Sequence, residues 1–297
     1  MRVMFLIMVC LLAMVSCRTS SDLPSDPAVL DQDALPLVLD GMTARAASLQ
    51  QLHGYGVIEL RWQDQEGDHF EQGDVEFWLD GPSRSAMRIS KLGDPYFWIG
   101  TDGVKLWLFD LSSRPTQLLI DELSVLQNAE AVGFGVASVA ELMRILPLGL
   151  GTIPPETGDV VGCQSTGDGE WLLQFQPRGG KVERESVTLD SDTWRPVQVS
   201  LLNVNGTAGL VLNTPSPRKV RVDIPGQSSL GSPLVSAILE ISVLGDSRAE
   251  AKFALENLST DMSEQPLDRL FELDVLRQAL QPEREGSLLE SGAGRVP

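Results

Sequence analysis

Between Tyr55 and Ile120 apolar and polar residues alternate with a period of two, the pattern of β-strands with one buried face. Ile58, Leu60 and Trp62 interleave with Val57, Glu59 and Arg61, and Val75, Phe77 and Leu79 interleave with Asp74, Glu76, Trp78 and Asp80. Met87 and Ile89 stand against Ala86, Arg88 and Ser90. A fourth run holds Tyr96 to Ile99, and Asp102-Gly103 turns the chain into Val104 to Phe109. Gly67-Asp68 and Gly81-Pro82 fall between the runs, where turns between antiparallel neighbours belong. The segment predicts a meander of four to five strands.

On either side the period changes. Leu35, Leu39, Met42, Ala46, Leu49 and Leu52 recur at helical spacing, with Pro36 tolerated in the first turn and Gly54 closing the helix. Ala129 to Leu150 carries Val139, Leu142, Met143 and Leu146 at the same spacing and predicts a short helix ended by Pro147 and Gly149. Asp159 to Cys163 reads as a strand. Strands resume at Trp171–Phe175, Val182–Leu189, Arg195–Val204, Thr207–Leu212, Lys219–Ile224, Leu234–Val243 and Ala249–Leu258, with turn signals at Asp190-Ser191-Asp192-Thr193 and Asn205-Gly206. Leu267–Leu280 predicts a last helix, and 281–297 a disordered tail. The expected fold class is mainly β with a few helices: a curved antiparallel half-barrel of about eleven strands over residues 34–280, one domain. A sheet that wide must close or curl and be capped, so helices are expected over its concave side, around an apolar hollow.

The N-terminus is organised differently. Arg2 precedes an unbroken apolar run from Val3 to Val15, and Met14-Val15-Ser16-Cys17 follows the layout of a bacterial lipoprotein signal over residues 1–16. The run is shorter than the roughly 20 apolar residues a spanning helix needs. Cys17 is the expected site of lipid attachment, its diacylated thiol holding the chain to a membrane; a plain secretory signal cut nearby is the alternative. Residues 17–33, which continue after Cys17 as Arg18-Thr19-Ser20-Ser21-Asp22-Leu23-Pro24, read as a flexible tether, whose root-mean-square span is about 20 Å. Arg18 rather than Asp follows the cysteine, so an outer-membrane address is expected in a two-membrane cell.

Composition removes several function classes. With 41 acidic against 23 basic residues and a formal charge of −18, the chain repels phosphate backbones and anionic membrane surfaces, so no nucleic-acid partner is expected. Cys10 lies in the signal and Cys17 carries lipid, which leaves Cys163 without a disulfide partner and reads it as a buried structural thiol. His53 and His69 are the two histidines; His53 would suit a helix end and His69 a solvated hairpin. There is no H-E-x-x-H, no G-x-S-x-G, no phosphate-cradling loop and no cysteine pair at metal spacing. Asp64, Glu66 and Asp68 lack an EF-hand's closing Glu. No enzyme, metal or cofactor is expected.

The stretch Leu49 to Asp110 resembles the fold shared by the periplasmic lipoprotein carrier LolA and the outer-membrane receptor LolB. The resemblance rests on Leu49-Gln50-Gln51-Leu52 with Gly54-Tyr55-Gly56, on Gly73 to Pro82, on Arg88-Ile89, and on Thr101-Asp102-Gly103-Val104-Lys105-Leu106-Trp107-Leu108-Phe109-Asp110. Leu189-Asp190 with Trp194-Arg195-Pro196-Val197 resembles a later turn at which a strand resumes. The resemblance implies a helix, an antiparallel half-barrel and helices acting as a lid. It speaks to fold more than to activity.

Together these features predict a membrane-anchored envelope lipoprotein that binds a lipid or acyl chain, palmitate for example, or a lipidated protein, in lipoprotein or lipid transfer. Ile58, Leu60, Trp62, Val75, Phe77, Leu79, Met87, Ile89, Leu106 and Leu108 are the expected cavity wall. The aromatic set Trp62, Phe77, Trp78, Phe97, Trp98 and Trp107 either lines that pocket or fills a core. Two other readings stay open: an envelope-stress sensor or regulator of the same fold, and a structural lipoprotein with no ligand.

Overall fold

The alternating run folds as a meander, and a second meander joins it edge to edge. In a computed structural model of the chain, residues 28–64, 67–128, 136–152, 159–176, 182–203, 208–215, 219–221, 233–243, 249–263 and 267–291 are described. The strands are β1 (Gln51–Asp64), β2 (Gly67–Asp80), β3 (Arg84–Lys91), β4 (Asp94–Thr101), β5 (Lys105–Asp110), β6 (Gln117–Glu122), β7 (Asp159–Ser165), β8 (Glu170–Gln176), β9 (Val182–Asp190), β10 (Pro196–Asn203), β11 (Ala208–Asn213), β12 (Lys219–Arg221), β13 (Leu234–Ser236), β14 (Ile238–Val243), β15 (Ala249–Ser259) and β16 (Arg284–Gly286). The helices are α1 (Leu35–Ser48), α2 (Leu123–Asn128), α3 (Val136–Leu150), α4 (Leu267–Phe271), α5 (Leu273–Leu280) and α6 (Leu288–Ser291).

Fourteen strands form one open, curved sheet in the order β16-β6-β5-β4-β3-β2-β1-β15-β14-β11-β10-β9-β8-β7, while β12 and β13 pair separately. The count exceeds the expected eleven. β6 contributes one addition, its Leu118-Leu119-Ile120 giving no alternation, and β16 another, a short polar strand that owes its conformation to the edge beside it. The predicted strand at Lys219 does not enter the main sheet; its described part, Lys219–Arg221, pairs with Leu234–Ser236.

Because β6 and β7 sit near opposite ends of the sheet, the chain between them has to cross it. α3 makes this crossing against β10 and β11. Its C-terminal half, Met143-Arg144-Ile145-Leu146-Pro147-Leu148-Gly149-Leu150, is apolar nearly all round, as a helix buried on most sides should be. Pro147 does not end the helix but lies inside it; the chain leaves at Gly151, and the Thr152 amide and hydroxyl both bond the Pro147 carbonyl at 3.0 and 3.1 Å. α1 stops at Ser48, short of Gly54, which belongs to β1 and faces Phe77 across the β1–β2 pair. His53 is therefore a strand residue and not a helix-end one.

The two faces of the sheet are covered by different helices. One face, called inner here, joins residues from both meanders with Val38 and Met42 of α1 and Met143, Ile145 and Leu146 of α3 in a single core. The other carries Trp78 and Ala86 under Met262, Leu270 and Phe271, and Trp107, Phe109 and Leu118 under Leu273 and Leu276. The segment Leu267–Leu280, predicted as one helix over the same hollow as the others, instead forms α4 and α5 on the opposite face, where Trp78, Trp98 and Trp107 place large apolar surface.

The two ends of the described chain pair at opposite ends of the sheet. At β7, Val29 and Asp31 exchange backbone hydrogen bonds with Cys163 at 3.1 and 2.8 Å in a parallel bridge, which places this part of the 17–33 segment against the sheet. At β6, β16 adds in parallel and α6 follows, with Asp121 accepting from the Ser287 hydroxyl and the Leu289 amide. The described part of the expected disordered tail is thus a strand and a helix, held by a free sheet edge and by burial of Leu288.

Candidate ligand-binding interior

Strand pairing brings the predicted wall residues together. On β1 to β5, Ile58, Val75, Phe77, Leu79, Met87 and Leu106 are buried in the inner core, and Leu60, Ile89 and Leu108 are partly buried against it. Cross-strand register explains the grouping: Phe77 lies opposite Met87, Met87 opposite Ile99, and Ile99 opposite Leu108. Trp62 is the exception. It lies outside that core, toward the β1–β2 turn, and stacks on His69 with centroids 5.0 Å apart. Cys17 lies outside the described residues.

The second meander completes the wall with Leu173, Phe175, Val187, Leu189, Val199, Leu201, Leu210 and Leu212, and Cys163 is buried among them. Burial, then Asp31, pushes the Cys163 thiol upward. An ion pair crosses this apolar space: Arg144 of α3 donates to Glu185 of β9 at 2.7 Å, with the two side chains 23% and 1% exposed. It fastens the crossing helix to the sheet.

A second polar feature lies where α1, the end of α3 and the β9–β10 turn converge. Trp194, at φ +54°, lays its indole over Gly41, where a Cβ would come within 2.4 Å of the ring, so α1 and the turn meet closely. Beside this contact Arg45 and Arg195 are 8% and 4% exposed. Arg45 donates through Nη2 to the carbonyls of Leu150 and Leu234 at 3.3 and 2.9 Å. Arg195 donates through Nη1 to the Thr214 hydroxyl at 2.8 Å and the Pro196 carbonyl at 3.2 Å. Burial, then the neighbouring Arg195, brings Arg45 down to about 10; burial also lowers Arg195, against the pull of Asp190 and Glu170. Neither arginine was singled out from sequence as a site residue. The available signal was Arg45 itself, a charged residue in the apolar stripe formed by Met42, Ala46 and Leu49.

The opposite face is more polar. His53, Trp78 and Trp98 stack in a row, with centroids 5.6 and 5.9 Å apart, and Arg88 lies over both indoles. Glu76 accepts from His53 at 3.0 Å and from Arg88; the His53 bond first, then Arg88, holds its carboxyl below the usual range. A depression of about 380 Å³ next to them is lined by Tyr55, Asp74, Glu76, Arg88, Ser90 and Glu256. Among the described residues no group of His, Cys, Asp and Glu is placed to hold a metal ion.

No protein-family model matches the sequence, and no curated protein is similar to it. Solved structures are similar in fold. A putative outer membrane lipoprotein-sorting protein domain from Vibrio parahaemolyticus superposes with a TM-score of 0.51 at 9% identity, over 80% of this chain and 97% of that one. A DUF1329 family protein from Desulfovibrio piger gives 0.54 at 11% identity, over 81% and 98%. A LolA superfamily protein from Nitrosomonas europaea gives 0.48 at 13% identity, over 79% and 97%. The chain is thus a mainly β protein of the architecture seen in a lipoprotein-sorting domain. Its fold is LolA/LolB-like.

Proposed function

We propose that the protein is a cell-envelope lipoprotein, anchored through acylated Cys17 at the periplasmic face of the outer membrane, that takes up a lipid or acyl chain between the inner sheet face and its covering helices. The observation that carries this reading is the inner wall. It is apolar across both meanders and is roofed by α3, a crossing helix with apolar residues on nearly every side. No helix among the described residues is long and apolar enough to cross a membrane, and the anchor in this reading is the lipid.

The energetics ask for no chemical step. A sixteen-carbon chain leaving water gains about 13 kcal/mol at about 0.8 kcal/mol per CH₂. From a bilayer nearly all of that gain cancels, because the chain is already in an apolar medium. Transfer then depends on small differences between membrane and interior, and on how readily α1 and α3 part from the strands beneath them. The test is native mass spectrometry of protein purified without detergent, together with uptake of a fluorescent fatty acid. A co-purifying lipid or saturable uptake is expected. Protein free of lipid that also takes up none refutes the proposal.

A further inference from the structure

Two buried arginines without carboxylate partners are an anomaly in a chain of charge −18. Buried charges are ordinarily paired, since removing an ion from water is costly unless an opposite charge replaces the solvent. Among the described residues, no carboxylate lies within ion-pair distance of Arg45 or Arg195. Asp190, the acidic group that acts on both, is engaged locally by the Thr193 hydroxyl and amide at 2.7 and 2.9 Å. What the two guanidiniums have is backbone carbonyls and one hydroxyl.

The unused donors form a pattern. The Nε atoms of both arginines are buried and have no hydrogen-bond partner among the described residues. Arg195 makes all its hydrogen bonds through Nη1, which leaves the Nε and Nη2 edge without a partner among the described residues. That edge is the planar fork that grips a carboxylate or phosphate through two parallel hydrogen bonds. The two side chains flank one residue. Arg195 bonds the Pro196 carbonyl, while Arg45 Nε and Pro196 Cδ both crowd the site over Gly151, where a Cβ would stand 2.5 and 3.2 Å from them. Leu49, Leu150 and Leu189, close in sequence to these groups, belong to the inner core, so the cationic pair borders the apolar wall.

We propose that Arg45 and Arg195 are the seat for the anionic head, carboxylate or phosphate, of an amphiphile whose chain lies along the inner wall. The inference rests on the lipid-binding reading above and narrows it to anionic ligands. Two cations in the interior set the preference: a neutral head of the same chain length brings no charge to pair with them directly, and an oxyanion does. Arg45 also holds the last carbonyl of α3, so an arriving anion competes with that carbonyl and couples head-group binding to the position of the roof helix.

The experiment displaces a bound fluorescent fatty acid from the intact protein with palmitate, hexadecyl phosphate, hexadecanol or inorganic phosphate. It is repeated on Arg195→Gln, Arg45→Gln and the charge-keeping Arg195→Lys, with circular dichroism and melting curves to check folding. Charge-assisted hydrogen bonds imply that palmitate and hexadecyl phosphate compete about tenfold more strongly than hexadecanol, that either Gln variant erases most of the difference, and that Lys keeps part of it. Equal competition by hexadecanol in the wild type overturns the anionic seat and leaves the apolar interior standing. Failure of every sixteen-carbon compound refutes the interior and the seat together. Displacement by inorganic phosphate as strong as by hexadecyl phosphate assigns the site to a free oxyanion and overturns its link to lipid. If the Gln variants do not fold, the head-group series on the wild type decides alone.

Discussion

Replacing Arg144 by Met tests how the crossing helix is held. The Glu185 carboxylate is 1% exposed and the Arg144 side chain 23%, so the pair sits in an environment where solvent screens little. Arg144→Met keeps most of the aliphatic volume but leaves an interior carboxylate without this guanidinium, a change that costs about 3–5 kcal/mol when one member of a buried pair is removed. The partial exposure of Arg144 puts the expectation at the lower end. Arg144→Met with Glu185→Leu removes both charges and is expected to recover most of the loss, since apolar replacements of buried pairs are often neutral or stabilising. Urea denaturation with linear extrapolation, followed by tryptophan fluorescence and circular dichroism, gives both values and their coupling. A single variant within about 0.5 kcal/mol of wild type, the range of unremarkable surface changes, refutes the reasoning. So does a double variant less stable than the single one.

Three further outcomes follow from other parts of the molecule. Gly56→Ala places a Cβ 2.0 Å from the Ala254 carbonyl at the β1–β15 irregularity, where no rotamer relieves the clash; a loss of at least about 1–3 kcal/mol is expected in a thermal melt, and an unchanged melt contradicts the close approach. The depressed Glu76 carboxyl contributes stability that is present above its ordinary value of 4.5 and lost as pH falls through the lower folded value, so Glu76→Gln should flatten the decline of melting temperature on the acid side of that value, and an identical decline in both proteins counts against the His53–Glu76–Arg88 arrangement. Cys163, fully buried with its thiol pushed upward, should resist an aromatic disulfide reagent in native buffer and react at once in denaturant, and equal rates in the two conditions would show that the β7 edge is open.

The first meander was legible because polar residues alternate with apolar ones along much of β1 to β3, so that Ile58, Val75, Phe77 and Met87 identify their own face. The same alternation held a second message. Trp78, Trp98 and Trp107 stand at positions where a solvated face would carry polar residues, and they mark the face covered by α4 and α5. Arg284-Glu285-Gly286 had no readable pattern, since its strand conformation is supplied by β6. The arginine pair was hidden for a similar reason. Arg45 and Arg195 are 150 positions apart, and their shared burial is a product of tertiary packing around Pro196.

The short parallel seam at β7 governs how the molecule answers a pull. Any load carried by the N-terminal segment enters through Val29–Asp31, across a few backbone hydrogen bonds to Cys163. Those bonds lie at one rim of the sheet, so tension meets them before it reaches α1 or the apolar interior. The rim can yield like the first stitches of a hem, releasing Val29–Asp31 while the fourteen-strand body stays shut.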